Sequence, residues 1–176
     1  MKEAGGMKEL ENLYREIHPK VYAFFYAKTG SQSVAEDLTQ DTFYEAMKSY
    51  HSFRKQASIK TWVFSIARHL LFKYYRSNKY KKHLEKRLVL QQDHPLLLED
   101  AFLLKEESTT LLKCIESLGE LRREIVTLRV FGELSFKEIG ELVGKSENYA
   151  RVHFHRAKLQ LQKRMEEEDG KTMSDR

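Results

Sequence analysis

Residues 135–164 restrict the fold of this chain more than any other segment, because they carry a full set of local helix signals. Ser135 and Glu138 have the spacing of a capping box, in which each side chain bonds a free backbone N–H at a helix start. Gly144 is placed to end that helix in a left-handed conformation, and Ser146 to cap the next. A short helix, a tight turn and a long basic helix form a helix-turn-helix, whose second helix fits a DNA major groove. The segment therefore predicts a domain that binds duplex DNA.

The rest of the chain also favours helices. It has only two prolines and eight glycines, and no useful stretch alternates apolar and polar residues as a strand does. Pro19 predicts a kink or a two-piece helix, Ser33 with Glu36 predicts a second capping box, and Ser58 predicts a third helix start. Apart from the two helices of 135–164, the predicted helices cover about residues 9–28, 33–49, 59–76, 108–118 and 121–132.

These helices group into two small domains, and the predicted fold class is all-α. Clear periodicity is lost between the two groups, in a stretch that contains Pro95. We expect a first domain of three to four helices and a second of four helices that includes the helix-turn-helix. The predicted boundaries are 8–82 for the first domain, 83–107 for the linker, 108–166 for the second domain and 167–176 for a polar tail.

Composition argues against several functional classes. Cys114 is the only cysteine, so no intrachain disulfide forms, and its apolar neighbours predict a small buried side chain rather than a nucleophile. The seven histidines are scattered, and neither a metal-binding spacing nor a Gly-rich phosphate loop occurs. We therefore expect no catalytic residues, no cofactor and no metal. No apolar run approaches a membrane span or a signal region, which predicts a cytoplasmic protein without direct membrane insertion.

The distribution of charge is more informative than the modest net charge of +5. Residues 54–87 contain eleven Lys or Arg and a single acid, Glu85, interleaved with aromatic residues. Such a run is usually a solvated face, but cations that neutralise phosphates beside rings that stack on bases favour single-stranded or melting DNA. Residues 36–47 have the opposite character, with four acids and no base. A helix dipole accounts for the first two acids, whereas the later ones favour a protein-docking face.

The predicted helix 59–76 has two apolar sides. One stripe, with Val63 and Ala67 near its centre, follows the spacing of a core face. Phe64, Arg68 and Phe72 project from roughly the opposite side. Two interpretations stay open: a helix packed by neighbours all round, or a helix whose second side is an aromatic and basic surface for bases and phosphates.

In this order, the segments resemble an extracytoplasmic-function sigma factor, the smallest type of bacterial sigma subunit. Residues 35–53 are similar to the family's region 2.2. Residues 60–76, with Lys-Thr-Trp and Ile-Ala-Arg signatures, resemble its regions 2.3 and 2.4, and residues 135–162 resemble its region 4.2. The resemblance covers nearly the whole chain. It implies a subunit without catalytic activity that binds core RNA polymerase, directs it to a promoter and helps to open the DNA.

The resemblance and the charge pattern together define three sets of candidate residues. The set for polymerase docking is Asp37, Gln40, Asp41, Phe43 and Met47. The set for the melted −10 element, beside the loop 52–61, is Lys60, Phe64, Arg68, His69, Phe72, Lys73 and Arg76. The set for the duplex −35 element is Lys137, Lys145, Ser146, Asn148, Tyr149, Arg151, Val152, His155, Arg156 and Lys158.

The chain departs from the family pattern at several positions. His69 stands where the family often has Asn, and residues 149–153 read Tyr-Ala-Arg-Val-His where the family often has Thr-Val-Lys-Ser-Arg. These departures leave the base preference open. The family resemblance also implies an anti-sigma protein as a partner, commonly one anchored in the membrane. The alternative is a helix-turn-helix repressor or activator that binds duplex DNA without polymerase, which leaves residues 36–47 and 59–76 without a role.

Overall fold

The computed structural model describes residues 2–54, 56–88 and 106–174, and the side chains of 14–54, 56–79 and 111–167. Within these ranges every regular element is a helix, which confirms the predicted all-α fold class. None of these helices combines the length and the apolar character that crossing a membrane requires. The chain divides into two compact units, residues 1–100 and 101–176, called the first and second unit below.

In its described residues the first unit contains three α-helices: α1 (Lys2–Thr29), α2 (Gln32–Ser49) and α3 (Ile59–Leu88), with a short 3-10 turn after α2. The prediction of a two-piece first helix is wrong, because α1 runs through Pro19 without a break. The alternative, a kink at the exposed Pro19, stays a prediction. The predicted cap at Ser33 is also wrong. Ser31 caps α2, its hydroxyl accepting from the Val34 N–H at 3.4 Å. Ser58 caps α3 as predicted, accepting from the Thr61 N–H at 3.0 Å.

Large aromatic side chains fill the core of the first unit. Phe24 and Phe25 of α1 and Phe64 of α3 are all fully buried. The rings of Phe24 and Phe64 meet edge to face, with 5.7 Å between centroids, a favoured geometry for aromatic pairs. The Tyr75 hydroxyl donates to the backbone carbonyl of Lys28 at 2.5 Å, which ties α3 to the end of α1. This packing fixes which side of α2 and of α3 faces outward.

From residue 106 to residue 174 the second unit contains four helices: α4 (Glu106–Glu116), α5 (Glu120–Val130), α6 (Phe136–Val143) and α7 (Glu147–Ser174). Cys114 is buried within its core cluster, as predicted. The backbone of α7 continues through most of 167–176, which we predicted as a polar tail. Its Glu and Lys residues are good helix formers, and no proline interrupts them. For the same reason α3 continues past Arg76. Residues 89–105, the centre of the predicted linker, lie outside the described residues.

The start of α6 and the turn between α6 and α7 have the predicted local geometry. The Ser135–Glu138 capping box is formed, with both reciprocal bonds present, and Gly144 takes the left-handed conformation at φ 67°. Gly140 has a role that the sequence pattern does not predict. A Cβ at this position would lie 2.8 Å from the carbonyl oxygen of Lys145, so only glycine lets the two helices approach this closely.

Candidate polymerase and promoter interfaces

The first candidate surface is the outer side of α2, called the α2 face and defined by Asp37, Gln40, Asp41, Tyr44 and Met47. All five side chains are exposed and follow helical spacing. Tyr44 is 61% exposed and Met47 59%, so two large side chains stand beside two carboxylates and an amide. Tyr and Met are enriched in protein interfaces, whereas carboxylates repel DNA phosphates. The α2 face is therefore suited to binding a protein.

Phe43 was predicted in the docking set, but it is buried, with 7% exposure. Its ring packs against the rings of Tyr14 and His18 of α1, with centroid distances of 4.7 and 5.5 Å. The prediction of an exposed docking residue is wrong at this position, since the ring instead holds α2 on α1. Tyr44, absent from the predicted set, takes the exposed position because one residue along a helix turns the side chain by about 100°.

The second candidate surface is the exposed side of α3, called the α3 face and defined by Arg68, His69, Phe72, Lys73 and Arg76. His69, Lys73 and Arg76 are exposed, and Phe72 is 50% exposed. The Arg68 guanidinium carbon lies 5.5 Å from the Phe72 ring centroid, a cation–π distance. The structure therefore brings five of the predicted −10 residues to one side of the helix. Cations next to an exposed ring suit phosphates and unpaired bases.

Two predicted −10 residues do not lie on this face. Phe64 has no exposed surface and packs in the core, so the prediction that it contacts DNA is wrong. Lys60 is half-buried in the first turn of α3, on the opposite side of the helix from His69 at about 100° per residue. The sequence left two interpretations of this helix open. Packing by neighbouring helices holds for Phe64, and an exposed aromatic surface holds for Phe72.

An open cleft of about 440 Å³ lies between α2 and α3, and we call it the α2–α3 cleft. Ile66 and Leu70 give it apolar surface, and the other lining residues bring hydroxyl, carboxylate, imidazole and ammonium groups. Two apolar residues beside five polar ones offer both contact surface and hydrogen-bonding groups to a flat, polar ligand such as a nucleobase. The lining residues are Glu45, Ser49, Ser65, Ile66, His69, Leu70 and Lys73.

Aromatic contacts hold the loop that leads into α3. The rings of Tyr50 and Phe53 pack on Trp62, with centroid distances of 6.5 and 4.9 Å. The described part of the predicted loop 52–61, which omits residue 55, is therefore fixed against the first turns of α3. In the parts of the chain with described side chains, no group of three His, Cys, Asp or Glu is arranged to hold a metal.

The third candidate surface is the exposed side of α7 near its start, called the recognition face. Its residues recur at helical spacing, and all are exposed except Val152, which is half-buried. They are Asn148, Arg151, Val152, His155 and Arg156. The three lysines of the predicted −35 set, Lys137, Lys145 and Lys158, are exposed as well. The structure thus provides polar groups for base edges together with cations for phosphates.

Ser146 and Tyr149, also in the predicted −35 set, help to build the start of α7. The Ser146 hydroxyl accepts from the Tyr149 N–H at 3.1 Å, which confirms the predicted cap. The Tyr149 ring is half-buried and stacks on His153 at 4.0 Å between centroids. The Lys145 ammonium lies 5.6 Å from the Tyr149 ring centroid. Tyr149 therefore lies at the flank of the recognition face and orients Lys145.

Two contacts position the Arg151 guanidinium. Its Nη2 lies 2.5 Å from Oε1 of Glu147, one turn earlier, and its Cζ lies 5.6 Å from the Phe136 ring centroid. The ring itself is fixed by Arg129, whose Cζ is 4.9 Å from the same centroid and whose Nη1 donates to the Leu134 carbonyl at 2.7 Å. Glu147 and Phe136 were not in the predicted set, although the i, i+4 spacing of Glu147 and Arg151 was a visible signal.

His153 lies on the flank of α7, away from the recognition face. Burial lowers the pKa of its imidazole, and the nearby charges of Arg122 and Arg156 lower that pKa further. Its Nδ1 is buried and has no hydrogen-bond partner among the described residues. The neutral imidazole is therefore favoured, because a third positive charge would be repelled by both guanidinium groups.

Family models match most of the chain. Residues 13–80 match the model for sigma-70 region 2, and residues 108–161 match the model for sigma-70, region 4. The α2 and α3 faces lie within the first match and the recognition face within the second.

Known proteins resemble the chain over nearly its full length. RNA polymerase sigma factor YlaC of Bacillus subtilis is 34% identical over 161 residues, which cover 89% of this chain and 91% of YlaC. The ECF RNA polymerase sigma factor SigW of the same species is 26% identical, covering 89% of this chain and 87% of SigW. Among solved structures, the sigma factor RpoE from Bartonella quintana, in complex with the anti-sigma factor NepR, has a TM-score of 0.72 at 20% identity. The match covers 90% of this chain and 98% of RpoE.

Proposed function

The chain belongs to the sigma-70 family of RNA polymerase sigma factors, and from this premise we propose that it is an extracytoplasmic-function, or group IV, sigma factor. It binds core RNA polymerase through the α2 face and reads the duplex −35 element through the recognition face. The α3 face and the α2–α3 cleft hold the separated −10 strand. All three roles are binding roles, so the chain supplies no catalytic group of its own, and it acts in the cytoplasm.

One observation carries this proposal: two neighbouring faces of the first unit have opposite chemistry. The α2 face pairs carboxylates with exposed Tyr44 and Met47, which suits a protein and repels DNA. The α3 face pairs cations with exposed Phe72, which suits unpaired bases. A subunit that connects polymerase to opened DNA requires both. A repressor of the helix-turn-helix type needs neither.

DNA opening requires that the first unit bind separated strands better than duplex, because only differential binding shifts an equilibrium. Extruding a base costs a few kcal/mol, and stacking on an aromatic ring returns about 1–3 kcal/mol per base. Phe72, flanked by Arg68, is the exposed ring that can provide this stacking. The α2–α3 cleft, with His69 and Lys73 at its wall, has room for an extruded base.

A pair of substitutions tests the two faces against each other. Tyr44→Ala should weaken binding of the full chain to core RNA polymerase by about tenfold, since it removes a large exposed side chain from the centre of the α2 face. Phe72→Ala should leave that affinity unchanged and slow promoter opening by about tenfold. A promoter already mismatched over its −10 element should restore transcription by the Phe72 variant but not by the Tyr44 variant.

The assays are co-elution with core enzyme and run-off transcription from promoter libraries. Failure of the unaltered chain to bind core polymerase would overturn the proposal. A footprint on duplex DNA without polymerase would favour the repressor or activator instead.

An anti-sigma protein is part of the same proposal. CnrH, which is similar to this chain with a TM-score of 0.68 at 17% identity, has been solved in complex with the cytosolic domain of CnrY. We propose a partner of this type for the present chain. Co-purification of the chain with a protein that blocks its binding to core polymerase is the expected result.

A further inference from the structure

Glu147 is in none of the predicted sets, yet it contacts the central cation of the recognition face. Its Oε1 lies 2.5 Å from Nη2 of Arg151, and the two side chains are 48% and 51% exposed. Glu147 is the first residue of α7. In a helix-turn-helix, the N-terminal residues of the second helix are those that reach base edges. Both members of this ion pair therefore lie where DNA would be read.

The pair forms a fixed unit because Arg151 has a second contact. Its guanidinium lies over the Phe136 ring, and that ring is held from α5 by Arg129. A donor group and an acceptor group are thus exposed side by side in a defined arrangement. The carboxylate and the guanidinium are in direct contact and successive base pairs are 3.4 Å apart, so the two groups are close enough to reach neighbouring base pairs.

We propose that Glu147 is a specificity-determining residue of the −35 contact, acting with Arg151 as one unit that reads a cytosine and a nearby guanine. Arginine donates to guanine O6 and N7, and a carboxylate accepts from cytosine N4. Guanine and thymine present acceptors at the same groove edge, so the Glu147 carboxylate repels them. This inference rests on the proposed function, because it requires that the recognition face enter the major groove.

An ordinary structural role for Glu147 makes a different prediction. An acid in the first turn interacts favourably with the helix dipole and so stabilises the helix. An i, i+4 pair with Arg also stabilises an exposed helix slightly. Both effects would change the stability of α7 and leave the base preference unaltered. Measurements of base preference and of thermal stability therefore separate the two roles.

The test uses holoenzyme assembled from the full chain and core RNA polymerase, with promoters randomised across the −35 element. Wild type should enrich cytosine at one position and guanine within two base pairs of it. Glu147→Gln should shift the first position toward adenine, because an amide accepts from N6 and donates to N7. The cytosine-to-adenine ratio should change on the order of tenfold. Arg151→Ala should relax the guanine position.

Glu120→Gln is the matched control, since Glu120 is the acid in the first turn of α5 and should leave the profile unchanged. An unaltered profile for Glu147→Gln, or an equal loss across all sequences, would overturn the inference while the wild-type profile upholds the proposed function. A wild-type holoenzyme that selects no −35 bases would instead overturn both. Thermal unfolding of each variant records any purely structural effect.

Discussion

Replacement of Gly140 by Ala sets two physical effects against each other. Gly140 lies inside α6, where Ala is favoured over Gly by about 1 kcal/mol. A Cβ at this position, however, would lie 2.8 Å from the Lys145 carbonyl oxygen and 3.0 Å from the carbonyl carbon of Ser146. Both are backbone atoms of the turn into α7, so neither can move aside by a side-chain rotation. Relief of the clash requires α6 and α7 to separate.

The steric effect should prevail. Overpacking costs about 1–3 kcal/mol, and a clash with backbone belongs at the upper end of that range, about 3 kcal/mol. After the helix-propensity gain, Gly140→Ala should lower the free energy of unfolding of the second unit by about 2 kcal/mol. In a domain of this size each kcal/mol changes Tm by roughly 4–8 °C. The expected fall in Tm is therefore roughly 8–16 °C.

Thermal unfolding of the full chain, followed by circular dichroism, measures this effect. The transition of the second unit should move down and that of the first unit should not. Glu141→Ala is the control, because Glu141 is the exposed neighbour on α6 and a change there should leave Tm nearly constant. An unchanged or raised Tm for Gly140→Ala would refute the steric reasoning, since helix propensity alone predicts that outcome.

Three further predictions concern Lys145, His153 and Phe64. Lys145→Ala should weaken holoenzyme binding to all −35 sequences equally and lower the slope of log affinity against log salt by about 1; a changed base preference would contradict a phosphate contact. The pKa of His153 is lowered from its ordinary value of 6.5, so below that pH the unfolded chain binds more protons than the folded chain. The free energy of unfolding should therefore fall as pH drops through this range, and His153→Gln should flatten that dependence in melts between pH 5 and 8. Phe64→Ala should destabilise the first unit by about 3–5 kcal/mol in denaturant titrations, whereas a near-neutral effect would argue that this ring is not core.

Helix ends that depend on a few adjacent residues could be predicted from sequence. The capping box at Ser135, the left-handed Gly144 and the cap at Ser146 all follow from local rules that need no knowledge of the tertiary fold. The cap of α2 was misplaced because Ser31 and Ser33 are chemically equivalent candidates two residues apart.

The orientation of α3 could not be predicted in the same way. This helix carries apolar residues of its own on more than one side, so the periodicity does not define a single buried side. Phe64 and Phe72 are both aromatic and were grouped together, yet one is fully buried and the other half exposed. Eight residues separate them, which corresponds to about 80° around the helix. Phe64 therefore faces α1, where its ring meets Phe24, whereas Phe72 faces solvent.

On α2, the polar candidate residues were assigned to the correct side of the helix, whereas the aromatic one was not. Asp37, Gln40 and Asp41 were predicted from their polarity and are all exposed. Burial of a carboxylate or an amide without a hydrogen-bond partner is unfavourable, most strongly for the charged carboxylate. Phe43 was predicted by its place in a pattern, and its neighbour Tyr44 has the exposed position instead. An aromatic residue is stable either in a core or at an interface, so its type does not identify its side. Charged residues therefore indicate the exposed face of a helix. The aromatic residues on that face are then identified by their angular position around the helix axis relative to the charged residues.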